Sequence, residues 1–244
     1  LGFKVLISDL DHQANLSYRC GFTPESLRNT EHTIFDIFVN SSSINDATVA
    51  AATNVDLVPG DPRMKSITLQ LSENPCADLI MSNAFKKEEI LDKYDYVIVD
   101  NNSSPDKASN NFMLITDLII SSAEAEAGCF TGIDYVLETV DYMNSKVGLD
   151  IDYRILMNNI EDTPDQRLWV DAYKKNFGDH MFKSMIRESK DFPNSATAKK
   201  PFFSFSGKNS KALNDYVSFV DEFINLTTNR GQEVQRENSD SARV

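Results

Sequence analysis

The chain has 244 residues, 41% of them hydrophobic, and a formal net charge of −13 at pH 7. The charge argues against a protein dedicated to coating DNA, and the apolar content argues against a disordered chain. The three cysteines lie far apart with no Cys-x-x-Cys or Cys/His spacing, which argues against a disulfide framework or zinc site. No apolar run approaches the roughly 20 residues that span a bilayer.

Predicted strands and helices alternate along the chain. The first half is predicted to contain strands over residues 4–8, 55–58 and 94–100, and helices over 33–39, 61–71, 84–91 and 107–116. The second half is predicted to contain strands over 118–122, 153–157 and 181–186, and helices over 132–144, 164–177 and 208–226. Short, nearly all-apolar strands that alternate with helices indicate an α/β fold, in which helices cover both faces of a parallel sheet.

We predict one domain over residues 1–228, followed by a polar tail over residues 229–244. The tail has almost no apolar residues, so we expect it to be disordered.

Two aspartates follow predicted strands. Asp11 comes just after the first strand, and Asp100 ends the strand over 94–100. Ligands bind beyond the carboxyl ends of strands in such sheets, where a carboxylate can hold Mg²⁺ through water or orient the water that attacks a phosphate. Aspartate is also common in turns after strands, so neither residue alone is a specific signal.

The segments around both aspartates resemble the ParA-type partition ATPases, deviant-Walker P-loop NTPases that also include MinD-like proteins. Residues 4–16, KVLISDLDHQANL, are similar to the family segment K-V-L-L-I-D-L-D-P-Q-G-N-L. Residues 94–100, YDYVIVD, resemble the family's Walker B strand, and residues 116–120, TDLII, resemble its next strand entry. The resemblance covers most of residues 3–225 and implies a three-layer P-loop NTPase-like fold.

This sequence departs from the family pattern at three places. His12 replaces a proline, and we interpret it as a loop substitution. Residues 101–104, NNSS, replace a T-P-P-S turn, which removes the rigidity that proline supplies. The family's K-G-G-x-G-K-[ST] phosphate loop does not occur in these 244 residues. We expect that it lies upstream of Leu1; the alternative is a pseudo-ATPase.

The resemblance also implies roles for individual residues toward ATP and Mg²⁺. Asp11 would position or activate the hydrolytic water and help to close a dimer, and Asp100 would hold Mg²⁺ through water. Asn158 would contact the adenine, and Arg187 would lie over the base. A turn residue is an equally good interpretation of Asn158, and a solvated surface charge is an alternative for Arg187.

The partition branch of the family fits this chain better than the other branches. MinD-like relatives end in a basic, amphipathic membrane helix, which residues 231–244 do not resemble. The resemblance then implies a cytoplasmic, nucleoid-associated homodimer that forms on ATP and binds non-specific DNA. A centromere-binding, ParB-like partner would stimulate hydrolysis and release the DNA.

The charge distribution gives independent support for DNA binding. Residues 167–211 hold ten Lys or Arg against four Asp or Glu, a balance of +6, and subtracting this from −13 leaves −19 for the rest. A local basic surface is what phosphate-backbone binding needs, although ordinary solvated helix faces explain the pattern as well. We predict that Lys174, Lys175, Lys199 and Lys200 contribute to DNA binding.

Two other functions remain open from the sequence. The protein could be a catalytically inactive adaptor with the same fold, or a ParA-like positioner of a protein cargo. A phosphate loop upstream of Leu1 would argue against the adaptor.

Overall fold

The computed structural model describes residues 2–102, 106–198, 200–207 and 210–241, with the backbone alone for residues 231–241. The chain divides into two compact units, Leu1–Thr116 and Asp117–Val244. Each unit has its own sheet, so we describe each by itself, and the single domain over residues 1–228 stays a prediction.

The first unit is built on a four-stranded sheet in the order β2-β3-β1-β4. Its strands are β1 Val5–Asp9, β2 Val49–Ala52, β3 Val55–Val58 and β4 Tyr96–Asp100. β1 is central and pairs in parallel with both β3 and β4, whereas β2 pairs with β3 antiparallel. The strands predicted over residues 4–8, 55–58 and 94–100 are confirmed, and β2 was not predicted.

The helices of the first unit are short. They are α1 Asn15–Arg19, α2 Pro24–Arg28, α3 Ile34–Asn40, α4 Ile44–Ala47, α5 Ile67–Gln70, α6 Ile80–Lys87, α7 Ile90–Lys93 and α8 Lys107–Met113. The helix predicted over residues 61–71 is a 3₁₀ turn, Pro62–Ser66, that continues into α5. The helix predicted over 84–91 is divided between α6 and α7, because Glu89 adopts a positive φ of 53° and breaks the helical path.

The core of this unit lies on one face of the sheet. Leu6 of β1 is buried, and Val97 and Val99 of β4 pack against the same cluster. Helices α3, α6 and α8 cover this face with aromatic and branched side chains. The largest of these are Ile34, Phe35, Ile37, Phe38, Met81, Phe85 and Phe112.

The second unit is built on a three-stranded parallel sheet in the order β5-β6-β7. Its strands are β5 Leu118–Ala123, β6 Asp152–Ile160 and β7 Met181–Arg187. Its helices are α9 Ala127–Tyr142, α10 Pro164–Phe177, α11 Asp191–Thr197, α12 Phe202–Phe205 and α13 Lys211–Ser241, and a π-helical turn, Met143–Val147, follows α9. The three predicted strands and three predicted helices all occur, with shifted ends, whereas α11 and α12 were not predicted.

Helix α13 attaches to strand β7 by both polar and apolar contacts. The Glu222 carboxylate accepts hydrogen bonds from the backbone N–H groups of Lys183 at 2.7 Å and Ser184 at 2.9 Å. The rings of Phe219 and Phe182 pack edge to face with centroids 5.0 Å apart. The two hydrogen bonds give backbone N–H groups of β7 an acceptor on α13, and the ring contact packs the same strand against the same helix.

The prediction of disorder from residue 229 differs from the structure, because α13 continues to Ser241. The sequence QEVQRE over residues 232–237 consists mostly of residues with good helix propensity. A helix already nucleated by packing propagates through such residues at little cost. Residues 242–244 lie outside the described part of the chain.

The α/β class with mostly parallel strands and helices on both sides is therefore confirmed. None of the helices among the described residues is long and apolar enough to cross a membrane.

Candidate functional site: carboxylates at the ends of β1 and β4

Asp9 and Asp100 end neighbouring strands and lie directly opposite each other. They are Cα partners in the parallel register of β1 and β4, and the Leu10 N–H donates to the Asp100 carbonyl at 2.9 Å. Asp11 follows two residues after Asp9. The structure therefore brings Asp11 and Asp100 to the same edge of one sheet, as predicted, and adds Asp9 to the cluster.

The Asp9 carboxylate is fully buried and is held through one of its oxygens. Its Oδ2 accepts hydrogen bonds from Ser17 N at 2.8 Å and from Ser17 Oγ at 2.6 Å. Ser17 Oγ also accepts from the Gly60 N–H at 2.9 Å, which connects α1 to the end of β3. The other oxygen, Oδ1, is buried and accepts no well-formed hydrogen bond from any described residue.

Gly60 is a close neighbour of this carboxylate. A β-carbon at Gly60 would lie 2.8 Å from both Cγ and Oδ2 of Asp9, and 3.2 Å from the Ala14 β-carbon. Only glycine fits there without movement of its neighbours. The Pro59-Gly60 pair that ends β3 in the sequence thus also shapes the carboxylate site.

Asp11 is half-buried in the loop between β1 and α1. Its Oδ1 accepts a hydrogen bond from Gln13 N at 3.0 Å and lies 3.1 Å from His12 Nδ1. Its carbonyl accepts from Ala14 N at 2.9 Å. No described residue donates a hydrogen bond to Asp11 Oδ2, so this oxygen is open to a further donor.

Burial and repulsion between neighbouring carboxylates disfavour the ionised forms of Asp9 and Asp100. Burial raises the pKa of Asp9; the Ser17 hydrogen bonds oppose that rise, and the charge of Asp11 adds to it. Asp100 is exposed at the strand end, but incomplete hydration, followed by the charges of Asp9 and Asp11, raises its pKa as well. A cation placed among these carboxylates would relieve this repulsion.

These residues fit a magnesium ion that is held through water. Carboxylate oxygen is the hard ligand that Mg²⁺ prefers, and Asp9 Oδ1 is a buried oxygen in need of a partner. In the described part of the chain, no group of three or more His, Cys, Asp or Glu is arranged to hold a metal ion directly. One or two carboxylates with waters and substrate phosphates form the usual Mg²⁺ site of nucleotide enzymes, and this arrangement agrees with it.

The predicted adenine contacts belong to the second unit. Asn158 lies half-buried inside β6, which extends beyond the predicted strand end. Arg187, the last residue of β7, forms a two-point ion pair with Asp215 of α13: Nε donates to Oδ2 at 2.8 Å and an Nη to Oδ1 at 2.5 Å. Asp11 and Asp100 are in the first unit, so adenine recognition by Asn158 and Arg187 stays a prediction.

The predicted DNA-binding lysines are also in the second unit. Lys174 and Lys175 are exposed in the last turn of α10, where cations interact favourably with the helix dipole. Lys200 is exposed just before α12, and Lys199 lies outside the described residues.

Sequence reasoning did not single out Asp9, Ser17 or Gly60 as site residues. Asp9 is the last residue of β1. It could have been identified from the sequence, because an ionisable residue at the end of an apolar strand is a recognisable pattern. Ser17 and Gly60 carry no such signal, because their role depends on contacts across 8 and 43 residues of chain.

Mostly parallel strands with helices on both sides, and carboxylates at neighbouring strand ends, define the P-loop NTPase-like class of fold. A family profile described as an AAA domain matches residues 1–153, and the chain belongs to that family. Together with the relatives and solved structures described next, this match confirms the resemblance to ParA/MinD-type partition ATPases.

Three relatives are similar over most of the chain. An uncharacterized protein of Mycobacterium tuberculosis is 27% identical over 87% of this chain, which spans 66% of that protein, about two thirds of its length. The cell division protein PomZ of Myxococcus xanthus is 22% identical over 92% of this chain and 69% of its own length. The sporulation initiation inhibitor protein Soj of Bacillus subtilis is 21% identical over 91% of this chain and 87% of its own length.

Solved structures share the fold at lower identity. A plasmid partition protein of Borrelia burgdorferi bound to AMPPNP has a TM-score of 0.73 at 19% identity, covering 92% of this chain and 86% of that one. Cobyrinic acid a,c-diamide synthase of Mycobacterium smegmatis, with bound ADP and magnesium, has a TM-score of 0.69 at 18% identity, covering 81% and 79%.

Proposed function

We propose that the full-length protein is a ParA-type ATP hydrolase that acts in the partition of plasmid or chromosomal DNA. The observation that carries this proposal is the carboxylate cluster Asp9, Asp11 and Asp100 at the ends of β1 and β4. A phosphate-binding loop is also needed for hydrolysis in this family, and these 244 residues do not contain one. The proposal therefore concerns the full-length protein.

Each carboxylate has a proposed part in the reaction. Asp11, through its open Oδ2, would accept a hydrogen bond from a water molecule and orient it for attack on the γ-phosphate. Asp100 and Asp9 would hold Mg²⁺ through water. When bound, Mg²⁺ neutralises charge on the phosphates.

The remaining parts of the proposal follow from the family. Asn158 and Arg187 would contact the adenine, and ATP would promote a homodimer. The exposed Lys174, Lys175 and Lys200, together with Lys199, would bind non-specific DNA, and a ParB-like partner would stimulate hydrolysis. The names of similar proteins, which include a cell division protein and a plasmid partition protein, support this assignment. A cytoplasmic, nucleoid-associated location is part of the proposal because the family resemblance implies it.

Magnesium-dependent nucleotide binding tests the proposal. We expect Asp100→Asn in the full-length protein to weaken the affinity for Mg-ATP while leaving binding measured in EDTA unchanged, because the carboxylate acts through the ion. Asp92→Asn, at an exposed position on α7 of the same unit, is the matched control and should bind as wild type does. An Asp100→Asn protein whose Mg-ATP affinity equals that of the control would refute the magnesium role.

A further inference from the structure

The outer face of helix α9 carries a row of acidic side chains. Ile133 and Val140 are buried and face the interior of the second unit. Asp134, Glu138 and Asp141 are all exposed on the other side of the helix. Positions three, four and seven residues apart lie on the same face of an α-helix, so these three carboxylates form one row along α9.

Two exposed tyrosines lie beside this row. Tyr135 is 57% exposed and Tyr142 is 61% exposed, and Glu138 lies between them along the helix. Among the described residues, no aromatic ring or cation packs against either tyrosine. Large aromatic side chains are usually buried, and two of them on one exposed face mark a surface suited to a partner. We call Asp134, Tyr135, Glu138, Asp141 and Tyr142 the acidic tyrosine face.

The negative charge of this face is not balanced by neighbouring cations. Between Lys107 and Lys146 the chain has six Asp or Glu and no Lys or Arg. None of the described residues forms an ion pair with the three carboxylates of the face. Their charge is therefore available to a cationic partner, which would be attracted to this side of α9.

The combination of rings and carboxylates selects the kind of partner. A Lys ammonium or an Arg guanidinium is attracted to the face of a tyrosine ring and also pairs with carboxylates. DNA and anionic lipid carry the same sign of charge as this face, so it repels them. We propose that the acidic tyrosine face binds a Lys- and Arg-rich segment of a partner protein. This inference goes beyond the proposed ATP hydrolysis and DNA binding, and it depends on neither.

A synthetic basic peptide tests the proposal in the full-length protein without nucleotide. The probe is a fluorescein-labelled peptide in which Lys and Arg alternate with Gly and Ser, and its binding is measured by fluorescence anisotropy. Tyr135→Ala combined with Tyr142→Ala should weaken binding by about tenfold, the effect of losing two exposed cation–π contacts. Tyr135→Phe combined with Tyr142→Phe should bind as wild type does, because phenylalanine keeps the ring face. Unchanged binding by the alanine variant would overturn the proposal.

A pair of charge reversals separates this face from the overall charge of the protein. Glu138→Lys should weaken binding by about fivefold, because it places a cation between the two tyrosines. Asp221→Lys is the matched control: Asp221 is exposed on α13 of the same unit, and its reversal changes the net charge by the same amount. Equal weakening by both reversals would mean that net charge alone attracts the peptide, and would refute the proposal.

Sedimentation velocity distinguishes a partner segment from a second copy of this chain. Without peptide or nucleotide, we expect wild type and the Tyr135→Ala, Tyr142→Ala variant to have the same association state. A dimer that is lost in the variant would assign the face to self-association and overturn the proposal. A full-length protein that binds the peptide through this face but does not hydrolyse ATP would refute the proposed ATPase function alone.

Discussion

Gly60 lies directly against the carboxylate of Asp9: a β-carbon on Gly60 would be 2.8 Å from both Cγ and Oδ2 of the aspartate. The same glycine donates its N–H to Ser17 Oγ, which in turn donates to Asp9 Oδ2. The position of the buried Asp9 carboxylate, to which we assign a functional role, therefore depends on the absence of a side chain at Gly60, 51 positions away in the sequence.

Gly60→Ala should destabilise the first unit by about 1–3 kcal/mol, because the added methyl overpacks a buried site. The measurement is the free energy of unfolding in urea. Gly132→Ala is the control: Gly132 is exposed within α9 with nothing within 4 Å of an added β-carbon. That change should stabilise by roughly 0.5–1 kcal/mol, through helix propensity. Equal effects of the two substitutions would show that the site tolerates a side chain at Gly60.

Asp100→Asn should make the protein slightly more stable at neutral pH, by a few tenths of a kcal/mol, since an exposed charge contributes little. The pKa of Asp100 is raised in the folded state by incomplete hydration and by Asp9 and Asp11. Its ionised form is thus disfavoured on folding, and this cost disappears as the pH falls through the raised pKa toward the ordinary value. Unfolding of wild type and variant should be compared at pH 7 and near pH 3. If Asp100→Asn gained more stability at pH 3 than at pH 7, the pKa of Asp100 would not be raised in the folded state.

The Arg187–Asp215 pair should contribute stability that disappears in acid. Burial alone would raise the pKa of Asp215, but the hydrogen bonds and charge of Arg187 outweigh it, so the pKa is lowered. A lowered carboxylate pKa stabilises the fold above the unfolded-state pKa, and the contribution is lost as the pH falls through the folded-state value.

Arg187→Ala should therefore destabilise the second unit by roughly 1 kcal/mol at pH 7 and by less near pH 3, as measured by urea unfolding. Arg167→Ala is the matched control, because the partners Arg167 and Asp162 are 64% and 87% exposed. That substitution should have almost no effect at either pH. A loss of stability in Arg187→Ala that does not depend on pH would argue that the arginine packs rather than pairs.

Charge reversal should locate the DNA-binding surface. We expect the full-length, ATP-bound protein carrying Lys174→Glu and Lys175→Glu to bind DNA more weakly, with a shallower dependence of affinity on salt. The logarithmic slope should change by about 0.9 for each phosphate that the protein no longer neutralises. Adding Lys199→Glu and Lys200→Glu should extend the effect.

The matched control for that experiment is Lys86→Glu with Lys87→Glu. These two lysines are also adjacent and exposed in the last turn of a helix, α6, but lie in the first unit. Equal weakening by both pairs would mean that net charge, rather than a defined surface, governs DNA affinity.

The strands of this protein were predictable where the sequence is β-branched and uniformly apolar, as in β1 and β4. Strand β2 was not, because its sequence Val-Ala-Ala-Ala has little β propensity and is extended through pairing with β3. Helices α1 and α2 have five residues each, too few for a periodic pattern. Asp11 and Asp100 could be identified from the sequence because they lie at strand ends. The hydrogen bonds of Ser17 to Asp9 and the packing of Gly60 against it could not, because they are tertiary contacts.

The side-chain contacts of His12 could not be predicted from the sequence either. Its place beside Asp11 was visible in the sequence, but the 2.8 Å contact between its Nε2 and Nε2 of Gln13 depends on the loop conformation. That loop passes through Ala14 with a positive φ of 52°. Adjacency in sequence did not indicate the direction in which the ring would point.

The most direct test of the proposed hydrolytic site is ATP turnover by the full-length protein, compared between wild type and Asp11→Ala. Asp11 orients the attacking water in our proposal, so we predict that the variant still binds Mg-ATP but hydrolyses it at least about tenfold more slowly. Equal turnover by the two proteins would contradict the central claim that this carboxylate cluster is a hydrolytic site.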